Sequence, residues 1–244
     1  MDTPSEVMHR PITNYLKRIL FFGAVIILLL TVGCEKRSPL LQAQRSPQSG
    51  FCNLPNETLQ KYLIAINIIG QSSSSGVATI LGRQLYILTN RHKLPDEPIL
   101  ENIEFRNHQF EYTKARSIIL LGKDFAEEQG LGVARDFAIL TPSNPSLFLP
   151  LPLSLDRHQG EVIVPSYANR LFTVGRGTQW FTDERFDQLD FNLAPGASGS
   201  PVVNCYGQIV GLYTALIHPE DARHIGFRGI STPITTIIQS LMSE

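Results

Sequence analysis

Little in this chain of 244 residues argues for a nucleic acid, a metal or a phosphate as its partner. Lysine and arginine number 21 against 22 aspartates and glutamates, a formal net charge of −1. There is no basic surplus to meet a phosphate backbone. Charged residues are scarce at 18% of the chain, below the usual ~25%, while the 43% hydrophobic content is enough for a real core. No His/Cys/Glu spacing has the form of a metal site, and no glycine-rich loop carries the lysine that a phosphate cradle needs. No cofactor is therefore expected. Internal repeats are equally lacking.

The chain also lacks a comfortable membrane span. The uncharged run at 19–33 falls short of the ~20 residues that a transmembrane helix requires. Arg10, Lys17 and Arg18 precede it, and a basic start before a short apolar run is the pattern of a secretory signal peptide. Its end, Leu30-Thr31-Val32-Gly33-Cys34, resembles a bacterial lipoprotein cleavage site, with Thr31 where an aliphatic residue is usual. Cleavage there would leave Cys34 as a lipid-bearing N-terminus. An uncleaved signal anchor and ordinary secretion stay open beside that reading. Residues 1–33 are read as a leader and 34–56, which begins with a Gln-, Ser- and Pro-rich stretch, as a flexible tether.

Cysteines are few, three in all. With Cys34 set aside, Cys52 and Cys205 form an even pair in an oxidising compartment. A disulfide between them would staple the N-terminal segment to the far half of the domain. Sequence leaves open whether they approach within bonding distance.

Beyond the tether, short β-like runs dominate: 62–69, 76–81, 84–89, 115–121, 137–140, 161–165, 171–175, 202–204 and 208–215. Many short strands punctuated by turn residues point to an all-β sandwich or barrel. The breaker-rich stretch 141–150 is the natural connection between two halves. Near the end, residues 233–242 space their apolar members helically, with Pro233 in the first turn.

The chemistry centres on Pro195-Gly196-Ala197-Ser198-Gly199-Ser200-Pro201. A serine between glycines, followed by the apolar pair Val202-Val203, reads as a hydroxyl displayed on a tight turn beside convergent N–H groups. Nucleophilic acyl transfer needs that pairing. A serine nucleophile also needs a base and an orienting acid. Among His9, His92, His108, His158, His218 and His224, only His92 stands at the exit of a β-rich run, 84–90, where loops on a rigid scaffold carry function. Asp136, in Arg135-Asp136-Phe137-Ala138-Ile139-Leu140, stands at the mouth of a short apolar strand. Asp124 instead belongs to a polar stretch closed by Gly130, which reads as an exposed loop.

Leu88-Thr89-Asn90-Arg91-His92, the Asp136 block and Gly196-Ala197-Ser198-Gly199-Ser200-Pro201 occur in the order His, Asp, Ser. Together they resemble the signature blocks of the trypsin/chymotrypsin-like serine peptidases, bacterial branch, from about residue 60 onward. The resemblance implies two packed six-stranded antiparallel β-barrels with a C-terminal helix. The first barrel, 57–146, would carry His92 and Asp136; the second, 147–244, would carry Ser198 and the helix. It implies Ser198 as nucleophile, His92 as general base and acid, Asp136 as the group fixing the imidazole, and the N–H groups of Gly196 and Ser198 as the oxyanion hole. Asn192 falls at the base of the primary specificity pocket, and Thr214, Ala215 and Leu216 fall on the strand that binds substrate backbone. A neutral Asn192 speaks against a preference for Arg or Lys, and Leu216 narrows the entrance, so a small or medium apolar residue is expected before the cleaved bond. Ala197 departs from the aspartate by which the digestive members pair with a newly freed N-terminus, so activation by that salt bridge is not expected. The family often has a cysteine one residue before Cys205, with another partner.

The expected protein is an exported, membrane-tethered serine endopeptidase of the cell envelope, acting on polypeptides. The alternative is a catalytically inactive module on the same barrels that binds a peptide or protein. An esterase of the serine-elbow type is disfavoured, because those chains place the serine before the acid and the histidine.

Overall fold

The computed structural model describes residues 50–70, 73–122, 135–168, 171–181, 186–216 and 229–243. The leader with Cys34, together with His9, Asp124, His218 and His224, lies outside the described residues. Among the described residues, no helix is long and apolar enough to cross a membrane.

Twelve strands close into two antiparallel barrels. The first contains β1 (Leu63–Ile68), β2 (Ser74–Leu81), β3 (Gln84–Thr89), β4 (Ile103–Arg106), β5 (Tyr112–Leu121) and β6 (Ala138–Pro142), in the order β1-β2-β3-β6-β5-β4. The second contains β7 (Gly160–Ala168), β8 (Leu171–Phe181), β9 (Asp187–Leu189), β10 (Pro201–Asn204), β11 (Ile209–Leu216) and β12 (Gly229–Pro233), in the order β10-β11-β12-β9-β8-β7. A short helix, α1 (Asn56–Gln60), precedes the first barrel, and α2 (Ile234–Met242) follows the second. This is the chymotrypsin-like architecture expected from the sequence, and closure gives every strand two strand neighbours.

Three apolar clusters explain why strands with unlike patterns share one architecture. Ile64, Ile66, Ile87, Ile103, Phe105 and Leu140 fill the first barrel. Val162, Val164, Leu189, Val202, Val210 and Tyr213 fill the second. A third cluster runs between them, joining Leu88 and Ile139 of the first barrel to Ile163, Val203 and Leu212 of the second and to Ile234 and Ile237 of α2. Strand β6 is buried along its whole length because Ala138 and Leu140 face the first barrel's interior while Ile139 faces the shared core. A strand buried on both faces reads as a continuous apolar run. That same strand begins two residues after Asp136.

Strands β4, β9 and β12 were not among the expected runs, and other features differ as well. Strand β2 starts at Ser74 rather than at Gly76, and Ser74 and Ser75 are buried. Pro233 caps α2 as the last residue of β12 instead of sitting in the first turn. The tether ends earlier than residue 56. Phe51 and Cys52 are buried in a 3-10 turn, and Cys52 is disulfide-bonded to Cys205 with their Cα atoms 4.7 Å apart. Burial of the Phe51 ring, the covalent bridge and the bond from Phe51 N–H to the Cys205 carbonyl (2.9 Å) fold this segment onto the second barrel.

Candidate active site

His92 sits in a 3-10 turn, Arg91–Lys93, immediately after β3. The buried Arg91 shapes this loop. Its guanidinium donates to the carbonyls of Leu94 (2.9 Å), Pro95 (3.0 Å) and Asp96 (3.2 Å), tying three successive peptide groups to one rigid fork. Asp136 precedes β6, which pairs with β3 through Thr89↔Ala138. The strand pairing thus delivers Asp136 to His92. One Asp136 carboxylate oxygen accepts the His92 backbone N–H (3.0 Å), and the other meets His92 Nδ1 at 2.6 Å. The Asp136 side chain is wholly buried, whereas that of His92 is 24% exposed. A carboxylate bound in this way holds the proton on Nδ1 and leaves Nε2 as the free base.

The backbone behind the acid is braced from both barrels. Asn90 Nδ2 donates to the Asp136 carbonyl (2.6 Å) and to Thr214 Oγ1 (3.2 Å). Thr214 Oγ1 also meets Thr232 Oγ1 (2.9 Å), which reaches the Asp136 carbonyl at 3.4 Å. Lys93 is the nearby cation. Burial pushes its ammonium below the ordinary lysine value, and the Asp136 charge works against that shift.

Ser198 lies on two consecutive turns. Ala197 N–H donates to the Ala194 carbonyl (3.2 Å) around Pro195 and Gly196, and Ser200 N–H donates to the Ala197 carbonyl (3.0 Å) around Ser198 and Gly199. Gly196 and Gly199 occupy the third turn positions with φ of 96° and 84°, the left-handed conformation that a turn of this type requires there. A Cβ on Gly199 would also lie 2.2 Å from the Ser75 carbonyl oxygen, so the barrels meet at that glycine. Among the described residues, no bond engages the N–H of Gly196 or of Ser198. The Ser198 hydroxyl donates to the Thr214 carbonyl at 3.1 Å.

The structure brings His92 and Asp136 into contact and sets Ser198 against the strand that braces them. Asn192 is exposed, and among the described residues no bond ties it to the histidine–aspartate pair. The Thr214 side chain is buried toward that pair, so only its backbone faces the serine; the sequence reading assigned it to substrate. Ala215 and Leu216 pair with Ile230 and Gly229 of β12. On the other side β10 begins at Pro201, opposite Leu212. Tyr213 is bonded to Gly199 and Ser200, and among the described residues no strand pairs with that side of β11 from Thr214 onward. Ala197 is buried in the second barrel's core, where an unpaired carboxylate would be costly.

Sequence reasoning missed Ser75, Asn90, Thr232 and Tyr213. Ser75 N–H donates to the Ser198 carbonyl (3.3 Å), and its hydroxyl accepts Tyr167 N–H (3.0 Å). Its serine-rich context gave no sign of burial. Tyr213 is buried, with its hydroxyl accepting Leu193 N–H at 3.1 Å. Burial pushes its phenol up to about 12, partly offset by the Leu193 bond. A raised acid titrates more readily in the unfolded chain. The stability tied to Tyr213 is therefore complete below about pH 10 and is lost as pH rises toward 12. Urea unfolding is expected to show a loss of about 1 kcal/mol between roughly pH 9 and pH 11 that Tyr213→Phe removes; an equal loss in the variant would contradict it.

The sequence profile of the trypsin-like peptidase domain matches residues 75–212, more than half of the chain. No curated protein sequence matches it. Among solved structures, the serine endoprotease from Yersinia pestis is similar at 22% identity and a TM-score of 0.57, covering 75% of this chain and 62% of its own. This chain thus spans less than two thirds of the Yersinia chain. The Rv3671c protease in an inactive form is similar at 15% identity and a TM-score of 0.56, covering 82% of this chain and 98% of its own. An inactive serine-to-alanine mutant of Rv3671c from M. tuberculosis follows at 16% identity, a TM-score of 0.55, and coverage of 82% and 95%. At these identities the structural likeness speaks to the fold, and the profile match speaks to ancestry: the chain belongs to the trypsin-like peptidase domain family.

Proposed function

We propose that the chain is a serine endopeptidase in which Ser198 attacks the substrate carbonyl, His92 moves the proton and Asp136 holds the imidazole. The observation that carries this reading is the fully buried Asp136 carboxylate bonded to both the backbone and the ring of His92. In the reaction, rotation about the Ser198 Cα–Cβ bond transfers its hydroxyl from the Thr214 carbonyl to His92 Nε2. Nε2 accepts the proton as Oγ adds to the carbonyl carbon, and the imidazolium then protonates the leaving amine. Water hydrolyses the acyl-enzyme by the same route. The unengaged N–H groups of Gly196 and Ser198 support an oxyanion site, where each donor is worth ~2.7–4 kcal/mol. The open β11 edge at residues 214–216 supports binding of substrate as an added strand.

Specificity follows from the interior beside the nucleophile. Tyr213 packs in one apolar cluster with Leu193 and Ala197, which lead into the serine turn, so a large ring fills the interior beside the nucleophile. This supports a small or medium apolar residue before the cleaved bond. The leader pattern supports export to the cell envelope with a lipid on Cys34, an uncleaved anchor or free secretion being the other outcomes. Mass spectrometry of the mature N-terminus distinguishes the three.

A second reading, an inactive module that binds a peptide or protein, draws on the Ser198 hydroxyl being bonded to the Thr214 carbonyl. Labelling by a fluorophosphonate probe decides between them. Labelling that disappears in Ser198→Ala and in His92→Ala is the expected result, and an intact folded chain that does not label would exclude the peptidase.

A further inference from the structure

Arg106, the last residue of β4, is clamped between two aromatic rings. Its guanidinium carbon lies 5.1 Å from the Phe110 ring centroid and 5.9 Å from that of Tyr167. Phe110 belongs to the β4–β5 turn of the first barrel and Tyr167 to β7 of the second, so the cation sits where the barrels meet.

The turn that presents Phe110 is tightly specified. Asn107 Oδ1 accepts the N–H groups of Gln109 (3.0 Å) and Glu111 (2.9 Å), and Asn107 Nδ2 donates to Glu111 Oε2 (2.7 Å). Phe110 is held at φ 66°, the only non-glycine residue with a positive φ among the described residues. The residue is nevertheless 67% exposed. A left-handed conformation is costly for a residue with a Cβ, and here it contributes almost no burial. It positions a ring face outside the core.

The charge is also unanswered. The cross-strand neighbours of Arg106 are Ala65 and Tyr112, and Glu111 is engaged by Asn107. Among the described residues, Arg106 has no carboxylate partner, and its Nε is shielded from water with no acceptor. An unpaired buried donor of this kind is destabilising. A guanidinium presents a planar edge of N–H donors that receives a carboxylate through two parallel bonds.

The stack stands close to the serine turn. Tyr167 N–H donates to Ser75 Oγ (3.0 Å), and Ser75 N–H donates to the Ser198 carbonyl (3.3 Å). We infer that Arg106, with Phe110 and Tyr167, forms a subsite for an acidic side chain of the polypeptide substrate, a few residues from the bond cleaved at Ser198. The inference rests on the serine-peptidase reading above. The substrate carboxylate accepts from the guanidinium edge while the neighbouring peptide crosses the exposed Phe110 ring.

The test uses the full chain and fluorogenic peptides in which one glutamate is moved along the positions flanking the scissile bond. Each is paired with its glutamine isostere. At one position the glutamate peptide is expected to be cleaved with kcat/KM about tenfold above its partner, chiefly through KM and less so at high salt. Arg106→Gln abolishes the preference and leaves cleavage of the glutamine peptide and fluorophosphonate labelling within about twofold. Arg106→Lys keeps the charge without the fork and retains a smaller part of it. Arg83→Gln, on the β2–β3 turn at the opposite end of β3 from His92, retains all of it. A chain that labels but shows no glutamate preference, or an Arg106→Gln variant that keeps one, overturns the subsite. A chain that does not label overturns the peptidase reading instead. Fluorescence anisotropy of a fluorescein-labelled glutamate-rich peptide on the Ser198→Ala chain then decides the subsite. Loss of binding on adding Arg106→Gln supports it, and unchanged binding overturns it.

Discussion

Asp136→Asn is expected to lower kcat about ten-thousandfold, equivalent to about 5.5 kcal/mol of transition-state stabilisation, with the fold intact. The carboxylate accepts two bonds at once, from the His92 backbone N–H and from Nδ1. An amide has only one acceptor oxygen. If that oxygen stays with the backbone N–H, the NH2 group faces Nδ1 and can only donate to it. The imidazole then carries its proton on Nε2, and the nitrogen that must accept the Ser198 proton is blocked. If the amide flips, the ring is satisfied but the His92 backbone N–H is orphaned and the loop loses its anchor. The carbonyl of residue 136 keeps its bonds to Asn90 and Thr232 in either case, so urea unfolding should change far less than the rate. The measurement is kcat on a fluorogenic peptide beside an unfolding curve. A decrease smaller than about a hundredfold would show that Asp136 does not set the imidazole tautomer.

The second large effect concerns the bridge. Cys52 and Cys205 are separated by 153 residues, and closing so long a loop restricts the unfolded chain by up to about 5 kcal/mol. The paired variant Cys52→Ser, Cys205→Ser is expected to lose most of that. Both barrels should unfold together, because the bridge joins the entrance of the domain to the turn after β10. Around it, Phe51 packs 5.7 Å from the Tyr62 ring, and a Cβ on Gly207 would come within 2.9 Å of the Phe51 ring. The same loss should appear in the unmodified chain on adding a reductant. Denaturation midpoints of the three samples provide the measurement. A change below about 1 kcal/mol would mean that the Phe51 packing and backbone bonds hold the segment without the bridge.

Nine β-runs were legible in the sequence because they are rich in branched and aromatic residues, which lie fully or partly buried against the cores. Strands β4, β9 and β12 were not. The four residues of β4, Ile103–Arg106, do alternate buried and half-buried, but so short a segment stands out little from its charged surroundings. Strand β9 begins with Asp187, buried only because Arg157 and Gln179 answer its charge. Strand β12 contains Gly229 and Pro233, and its place is set by pairing with β11 and β9. In each case partners distant in the chain make the strand.

The candidate site divides in the same way. Ser198, His92 and Asp136 were identifiable because each stands at a boundary between an apolar strand and a turn, and such boundaries are local. The residues that hold them were not identifiable. Asn90, Thr214 and Thr232 are ordinary strand-end polar residues until the two barrels close over them. Ser75 belongs to a serine-rich stretch that reads as a loop.

For the serine turn, local sequence was sufficient: Gly196 and Gly199 dictate two tight turns whatever surrounds them, because only glycine takes a positive φ there at low cost. The order of His92, Asp136 and Ser198 was likewise written along the chain. Tertiary structure decided the rest: that Asp136 is buried on His92, that the bridge closes over 153 residues, and that Arg106 meets rings from two barrels with no carboxylate partner among the described residues. Each of these depends on groups brought together from far apart in the chain. Burial and pairing there are set by closure of the barrels, to which no window of sequence has access.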